Sequence, residues 1–441
     1  MLCPCVAQNV NYDDVAVIVN ANSPGSVQIG NYFMAARNIP ANRLITINAP
    51  VTSTIFTSEF PPIREAIEDH LIANELVDSI NYIVTTLGVP VRLDNGTCDS
   101  LLQISRCSSF DTEVALLLGP YADQVLEQGS VFNPFFEPPG HFSRTEYGIY
   151  LVTRLAGPTV QDVLDLIDRS GPSIHVHPSG AMAVADMNNT DTNPGVQNFW
   201  NQFIYDVMEA VPDPGPQVVI DTTTVLLDKI ANVSAYVSLT ATSEPFLPNF
   251  QWSPGALAVE WMSFSGLDYD EPGPDVGYNR LSNWIGSGAT IAVGAVNYTY
   301  ASQWYFTRTM LDHYLDTNYH FNAAESMYGG IQRLSWIYQV VGDPKTSIVW
   351  DLSIGVPEDQ GTTVPVLWPN PCKGIFRVAL PRERIAQVSL IDVAGRRVTV
   401  HTRVSPAFAE VDASGCPNGL YLVEVLTNSG NRQCIRILLE R

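Results

Sequence analysis

Short apolar runs alternate with helix-like segments from Val15 to about Trp350, and this alternation is the feature that most limits the folds open to the chain. The first unit shows the pattern. An apolar run ending at Val19 is followed by a polar turn and then by helical spacing up to Ala36. Strands that alternate with helices favour a mostly parallel sheet covered by helices on both faces. We therefore predict an α/β domain.

Three of the apolar runs have the character of central strands, namely Val15–Val19, Ile83–Thr86 and Ile291–Val293. Their side chains are apolar on both faces, as the interior strands of a parallel sheet require. We expect none of them at an exposed edge of the sheet or in a helix.

The character of the sequence changes after residue 352. A linker over 353–363 is rich in Pro, Gly and Thr, and the region 364–441 has no helical period. Its short alternating runs are separated by turns, which predicts a β-sandwich. The charge also changes, because the residues from Gly361 onwards carry ten Lys and Arg against six Asp and Glu, whereas the whole chain has a net charge of −22. Such an acidic protein is a poor partner for nucleic acid.

The first residues and the cysteines bear on export. Residues 1–9 are apolar and resemble the end of a secretory signal, and no apolar run approaches the ~20 residues that a membrane helix needs. Cys98 and Cys107 flank a short segment, so they form either a disulfide loop or two unrelated thiols. A second pairing, Cys416 with Cys434, is suggested by their positions near the last two strands.

The C-terminal region carries four ordered motifs, "WPNPCKGIFRVALP", "VSLIDVAGRRV", "VDASGCPNGLYLVEV" and "RQCIRILLER". In this order they resemble the C-terminal sorting domain of type IX secretion substrates. The resemblance implies an Ig-like sandwich, a location outside the cell or on the outer surface of a bacterium, and the secretion machinery as a partner. The alternative is a generic β-sandwich appendage.

Residues 10–352 contain "VNANSPGSVQIGNYF", "WSPGALAVEWMSFSG" and "VVGDPKTSIVW", which resemble an uncharacterised family of exported bacterial proteins and the caspase-like domain of gingipain peptidases. That resemblance implies a catalytic His and Cys at the ends of two neighbouring strands. Here Thr240 and Ala241 stand at the histidine position, and Met262 and Ser263 at the cysteine position. Since a thiolate and a base are both required, the resemblance implies a domain that has lost its catalysts.

Other groups could still supply chemistry. Ser263 or Ser265 would need a base; His175 and His177 share one face of an extended segment and could be a base or half of a metal site, although a structural role is the main alternative. We predict no cofactor; two carboxylate-rich turns suggest solvated acidic loops, with calcium binding as the alternative. The calcium candidates are Asp186, Asp191, Asp268 and Asp270.

The polar turn after the first strand, with Asn20 and Asn22, lies where doubly wound sheets bind ligands. It lacks a phosphate-binding glycine motif, and Ser23 with Pro24 fits a helix start, so we interpret it as a structural frame. We predict a secreted or cell-surface protein without catalysis, with a binding, surface-layer or extracellular assembly role that includes a protein or surface partner or self-association. The alternative is a cysteine-peptidase-like or serine-type hydrolase with a different catalytic arrangement.

Overall fold

A computed structural model of the protein describes residues 11–96, 107–126, 131–178, 180–187, 204–205, 207–213, 215–223, 225, 227–239, 249–267, 269, 281–297, 307–316, 319–351, 365–380, 384–405, 408–428 and 430–440. The predicted signal remnant at 1–9 and the linker at 353–363 lie outside these ranges, and the domain boundaries stay predictions.

Alternating strands and helices build the first part of the chain, as the sequence predicts. The strands are β1 Val15–Asn20, β2 Leu44–Ile47, β3 Thr54–Phe56, β4 Tyr82–Thr86, β5 Arg92–Asp94, β6 Cys107–Ser109, β7 Val131–Phe132, β8 Leu151–Leu155, β9 Ile174–Val176, β10 Met182–Met187, β11 Gln217–Asp221, β12 Val233–Leu239, β13 Trp252–Glu260, β14 Ile291–Ala295, β15 Arg333–Leu334, β16 Tyr338–Val341 and β17 Ile348–Trp350. The helices are α1 Pro24–Arg37, α2 Phe60–Ala73, α3 Phe110–Val114, α4 Arg144–Tyr147, α5 Val160–Arg169, α6 Leu281–Ser287, α7 Thr307–Leu315 and α8 Ala323–Gly329, with one-turn 3-10 helices at Ala41–Arg43, Thr57–Glu59 and Ala122–Gln124.

Ten of these strands form one sheet in the order β11-β10-β12-β13-β14-β16-β8-β4-β1-β2. Neighbours are parallel throughout the described sheet except at β14 and β16, which are antiparallel. The sheet therefore consists of two parallel halves that run in opposite directions. The carboxyl ends of the strands therefore lie at opposite edges of the sheet in the two halves. Parallel sheets bind ligands at these ends.

The three runs predicted as central strands lie in β1, β4 and β14, and every residue of these strands is buried. None of the three is an edge strand, since β11 and β2 occupy the edges. The prediction is confirmed, and with it the α/β class.

One local pattern in the sequence misleads. Ala256, Val259 and Met262 have the spacing of a helix that could pack against the sheet, yet the first two lie in strand β13, and the strand ends before Met262. Strand β13 lies between β12 and β14, and from Gly255 to Glu260 the residues on both of its faces are buried. A short apolar run of this kind has no periodicity that separates a buried strand from a buried helix.

The C-terminal region forms two four-stranded antiparallel sheets, in the orders β18-β19-β23-β22 and β21-β20-β24-β25. They enclose a separate apolar core that includes Phe376, Leu390 and Val423, so the predicted β-sandwich is confirmed. Trp368 and Ala379 instead pack into the core of the α/β domain. The strands are β18 Val366–Trp368, β19 Ile375–Ala379, β20 Ile385–Asp392, β21 Arg397–Val398, β22 His401–Val404, β23 Ala409–Asp412, β24 Gly419–Thr427 and β25 Arg432–Leu439.

The two disulfide predictions have different outcomes. Cys107 is disulfide-bonded, while Cys98 lies outside the described residues, so the identity of its partner stays a prediction. The pairing of Cys416 with Cys434 is wrong, because both are thiols. The strand alternation explains this: Cys434 lies on the exposed face of β25, whereas Cys416 is buried in the sandwich core.

Thiol labelling should reproduce this division. In the native protein a maleimide reagent should modify Cys434 and spare Cys372 and Cys416, which are buried. After denaturation without a reductant all three should react, and Cys107 should react only after reduction. Peptide mass spectrometry reads out each site. Labelling of Cys107 in the unreduced, denatured chain would contradict the disulfide.

Candidate functional site

The positions that sequence comparison assigns to a lost catalytic dyad follow strands β12 and β13. Thr240 and Ala241 lie outside the described residues. Met262 is buried, with 7% of its surface exposed, and Ser263 is half-buried. The structure therefore describes the two residues at the cysteine position of the lost dyad. The two residues at the histidine position stay untested.

Ser265 is fully buried, and its hydrogen bonds hold the loop after β13 against the sheet. Its Oγ accepts a hydrogen bond from the backbone N–H of Ala295 at 3.2 Å, and its carbonyl accepts one from the N–H of Leu281 at 2.8 Å. A Cβ atom on Gly294 would lie 2.2 Å from this Oγ, so the glycine makes room for the hydroxyl. These contacts give Ser265 a structural role in packing the loop on β14.

The two histidines proposed from the sequence as a base or metal pair, and a third, His141, lie on other elements. His175 belongs to β9 and His177 follows it; both are exposed, and β9 pairs with β17 rather than with the large sheet. His141 contacts the carboxylate of Glu325 through Nδ1 at 3.2 Å, and this contact outweighs partial burial and raises the pKa of the imidazole.

A row of acidic and hydroxyl side chains crosses the carboxyl end of the second half-sheet. Asp186 on β10 is in register with Asp221 on β11 and with Ser238 on β12, and Ser238 is in register with Glu260 on β13. Residues in register on neighbouring strands point to the same face. We call Asp221, Asp186, Ser238 and Glu260 the polar row.

Hydrogen bonds hold most of the polar row in place. Ser238 Oγ donates to Glu260 Oε2 at 2.9 Å, and Asp186 Oδ2 accepts from the Tyr236 hydroxyl and from the N–H of Leu227, each at 2.8 Å. The other oxygen, Asp186 Oδ1, is buried and has no hydrogen-bond partner within the described part of the chain.

Burial raises the pKa of Asp186 to about 7; the hydrogen bonds from Leu227 and Tyr236 oppose the shift, and the nearby charge of Asp221 adds to it. A carboxyl with this pKa is partly protonated at neutral pH, so it can donate or accept a hydrogen bond. Perturbed groups of this kind concentrate at functional sites, although structural networks produce them too.

Sequence reasoning singled out Asp186, but as a calcium ligand, and it missed the row. A usable signal existed, since β11 and β13 end on the acidic residues Asp221 and Glu260, and Asp186 is the second-last residue of β10. Among the described residues no cluster of three His, Cys, Asp or Glu side chains suits a metal ion. The remaining calcium candidates, Asp191, Asp268 and Asp270, lie outside the described ranges, so the calcium prediction is untested.

A second polar cluster lies buried around Arg154 of β8. Its guanidinium bonds Asp111 through two contacts, at 2.7 and 3.1 Å, and Gln339 Nε2 donates to the same carboxylate at 3.1 Å. An adjoining cavity of about 20 Å³, lined in part by Gly88, Arg154 and Tyr269, has room for about one water molecule. The cluster is too enclosed to be a substrate site.

The turn after β1 is a frame, in agreement with its interpretation from sequence. The Asn20 side chain donates to the carbonyls of Ala49 and Gly88, at 3.1 and 2.8 Å, and its Oδ1 accepts from the N–H groups of Asn22 and Ala49. Ser23 caps α1, and Pro24 is the first helical residue. These contacts join neighbouring strand ends and use the polar groups of Asn20 fully.

Comparison with known proteins identifies the C-terminal region. Residues 366–439 match the family profile of the secretion system C-terminal sorting domain. The sequence resemblance is confirmed, and the chain is a protein exported to the cell surface or the extracellular space. No curated protein matches the chain. Within the described residues no helix has both the length and the apolar character needed to cross a membrane.

Solved structures similar to the chain include peptidases. A crystal structure of the Arg-specific cysteine proteinase gingipain R (RGPB) has a TM-score of 0.38 and 11% identity, covering 98% of this chain and 99% of that one. A complex of Porphyromonas gingivalis RgpB pro- and mature domains has a TM-score of 0.36 and 11% identity, covering 97% and 100%. A structure described as a protease has a TM-score of 0.36 and 9% identity, covering 96% and 97%. Similarity at this level carries no argument about chemistry.

Proposed function

We propose that the protein is an exported binding protein whose α/β domain does not hydrolyse peptides. The observation that carries this proposal is the position of Ser265, a hydroxyl that sequence reasoning offers as a substitute nucleophile. It is fully buried and accepts a hydrogen bond from the backbone of β14. A serine nucleophile instead needs exposure to substrate and a base that accepts its proton.

The polar row suits binding. It places a buried carboxylate oxygen without a described partner at the carboxyl end of parallel strands, where open α/β sheets receive ligands. The row is acidic, so it would hold a cationic group or a hydrogen-bond donor rather than a phosphate. Export of the chain would bring such a site into contact with extracellular partners.

One arrangement favours a second candidate, a serine-type hydrolase. The 2.9 Å hydrogen bond between Ser238 Oγ and Glu260 Oε2 brings a hydroxyl within reach of a carboxylate base. Both side chains are fully buried, which opposes this candidate because a substrate would have to reach the hydroxyl.

Activity measurements on the purified full-length chain separate the two candidates. We expect no turnover of quenched-fluorescent peptides or p-nitrophenyl esters above that of a Ser238→Ala, Ser265→Ala double variant, and no labelling by a fluorophosphonate probe. Ser143→Ala, a partly exposed serine outside both sites, is the matched control. Turnover that Ser238→Ala, Ser263→Ala or Ser265→Ala abolishes, while Ser143→Ala retains it, would establish a hydrolase and overturn the proposal.

A further inference from the structure

The two sheets of the C-terminal sandwich have different surroundings. In the sheet that begins with β18, Phe376 and Val378 point into the sandwich core, while Trp368 and Ala379 pack into the core of the α/β domain beside β11. The second sheet, β21-β20-β24-β25, stacks on the first through the sandwich core. Its outer face therefore points away from the α/β domain of the same chain.

This outer face presents exposed leucines. Leu420 and Leu422 of β24 are 47% and 39% exposed, and alternation along the strand places them on the side opposite the core residues Tyr421 and Val423. Leu422 is in register with Ile391 on β20, so the apolar surface continues across two strands. We call this surface, which consists of the outward side chains of β20, β21, β24 and β25, the leucine face.

Arginines border the leucines. The charged strand residues on the leucine face are Arg397, Glu424, Arg432 and Arg436. Arg397 and Arg432 share the Glu424 carboxylate, at 2.7 and 3.6 Å, and both stay largely exposed. Three arginines against one carboxylate give the face a positive charge, although the whole chain has a net charge of −22. Such a surface favours an acidic partner that also offers an apolar side chain.

Helix α2 presents a surface of that kind. Its buried side chains include Ile63 and Ile67, and the opposite side of the helix carries Glu65, Asp69 and Ile72, which are spaced four and three residues apart. Both acids are exposed, and Ile72 is 56% exposed. The helix is about 20 Å long and strand β24 is about 30 Å long, so the helix can lie along the leucine face.

The leucine face and α2 lie at opposite ends of the molecule. The sandwich packs beside β11, which is one edge strand of the ten-stranded sheet, and α2 packs on β2, which is the other. With about 4.8 Å between neighbouring strands, these edges are roughly 40 Å apart. The two surfaces therefore cannot meet within one chain, whereas they can meet between two chains.

We propose that the leucine face binds helix α2 of a second copy of this chain. Two leucine faces brought together would oppose their arginines, and two α2 helices would oppose their acids, so only the contact between unlike surfaces pairs opposite charges. The repulsion between two acidic chains is screened beyond about 8 Å at physiological salt, so the charges at the contact decide the outcome. A contact between two different surfaces closes into a ring or grows into an open chain. The polar row takes no part, so self-association goes beyond the proposed binding function.

Two charge-reversed variants test the contact by sedimentation velocity of the full-length protein at concentrations up to about 0.1 mM. Arg432→Glu, Arg436→Glu makes the leucine face acidic, and Glu65→Lys, Asp69→Lys makes α2 basic. We expect the wild type to form larger species as its concentration rises, and the dissociation constant of each variant to increase about tenfold or more. An equimolar mixture of the two variants should associate again, because the acidic leucine face of one then meets the basic α2 of the other.

The matched controls are Arg403→Glu on β22 and Asp165→Lys on α5, which reverse exposed charges outside both surfaces. They should leave the association unchanged. Circular dichroism checks that every variant is folded.

Three results would overturn the proposal: a wild type that stays monomeric, association that both double variants retain, or a mixture of the folded variants that does not associate. A monomeric wild type that sediments with phosphatidylglycerol vesicles, when Arg432→Glu, Arg436→Glu does not, would assign the leucine face to an anionic membrane instead. Peptidase activity in the separate hydrolysis assay would leave the sedimentation result unchanged, so the two proposals fail independently.

Discussion

Replacing Asp111 with alanine lowers the free energy of unfolding of the α/β domain by about 3–5 kcal/mol, the range for breaking a buried ion pair from one side. Asp111 and Arg154 are 1% and 0% exposed, respectively. The arginine also donates to the carbonyls of Val89 and Pro90, each at 2.8 Å, so it cannot easily turn towards water. The variant leaves its positive charge buried without the carboxylate that balances it. Urea unfolding followed by tryptophan fluorescence measures the change.

An exposed pair provides the control for Asp111→Ala. Arg308 and Glu209 are bonded at 3.2 Å with about half of each side chain exposed, so Glu209→Ala should cost at most about 1 kcal/mol. The double variant Asp111→Leu, Arg154→Met should regain much of the lost stability, because an apolar pair of similar volume needs no charge balance. Equal effects of Asp111→Ala and Glu209→Ala would contradict the role assigned to the buried pair.

Replacing Asp186 with asparagine makes the α/β domain more stable at pH 8 and leaves its stability nearly unchanged at pH 4. The carboxyl has a pKa of about 7 in the folded protein, raised first by burial. Its unfolded pKa is about 3.9. The folded state therefore binds a proton more tightly; the resulting stabilisation is complete below pH 3.9 and is lost as the pH rises through 7. The difference between the two pKa values corresponds to roughly 4 kcal/mol.

The pH series for this variant compares urea unfolding at pH 4, 5, 6, 7 and 8 in the wild-type and Asp186→Asn proteins. Asparagine is neutral at every pH, and its carbonyl oxygen can still accept from Tyr236 and Leu227. Asp69→Asn, an exposed substitution in α2, should give a difference from wild type that stays constant across the series. A constant difference for Asp186→Asn as well would show that this carboxyl is not the buried titrating group.

The secondary structure was largely predictable because its signals are local. Apolar runs such as Val15–Val19 lie in strands, and Ser23 with Pro24 begins a helix where the capping rules place one. The failure at Ala256 and Val259 has the same origin, since spacing over a few residues cannot reveal that both faces of β13 are buried. Only the packing of the folded sheet supplies that information.

The candidate site was much less predictable. Asp186, Ser238 and Glu260 meet through strand register, which depends on pairing between segments that are distant along the chain. Ser265 is a hydroxyl of unspecified role in the sequence, and its hydrogen bond to the Ala295 N–H exists only once the loop packs on β14.

The sequence by itself determined the α/β class, the C-terminal sandwich and the export of the chain, because hydrophobic periodicity and the ordered motifs of residues 366–439 are properties of short segments. The tertiary structure alone decided that β16 runs antiparallel to β14 and so reverses half of the sheet. It also decided that the Asp186 carboxyl is buried and that Cys434 faces away from the sandwich core. Desolvation, register and the partner of each polar atom are set by contacts between distant segments, and those contacts arise only when the chain folds.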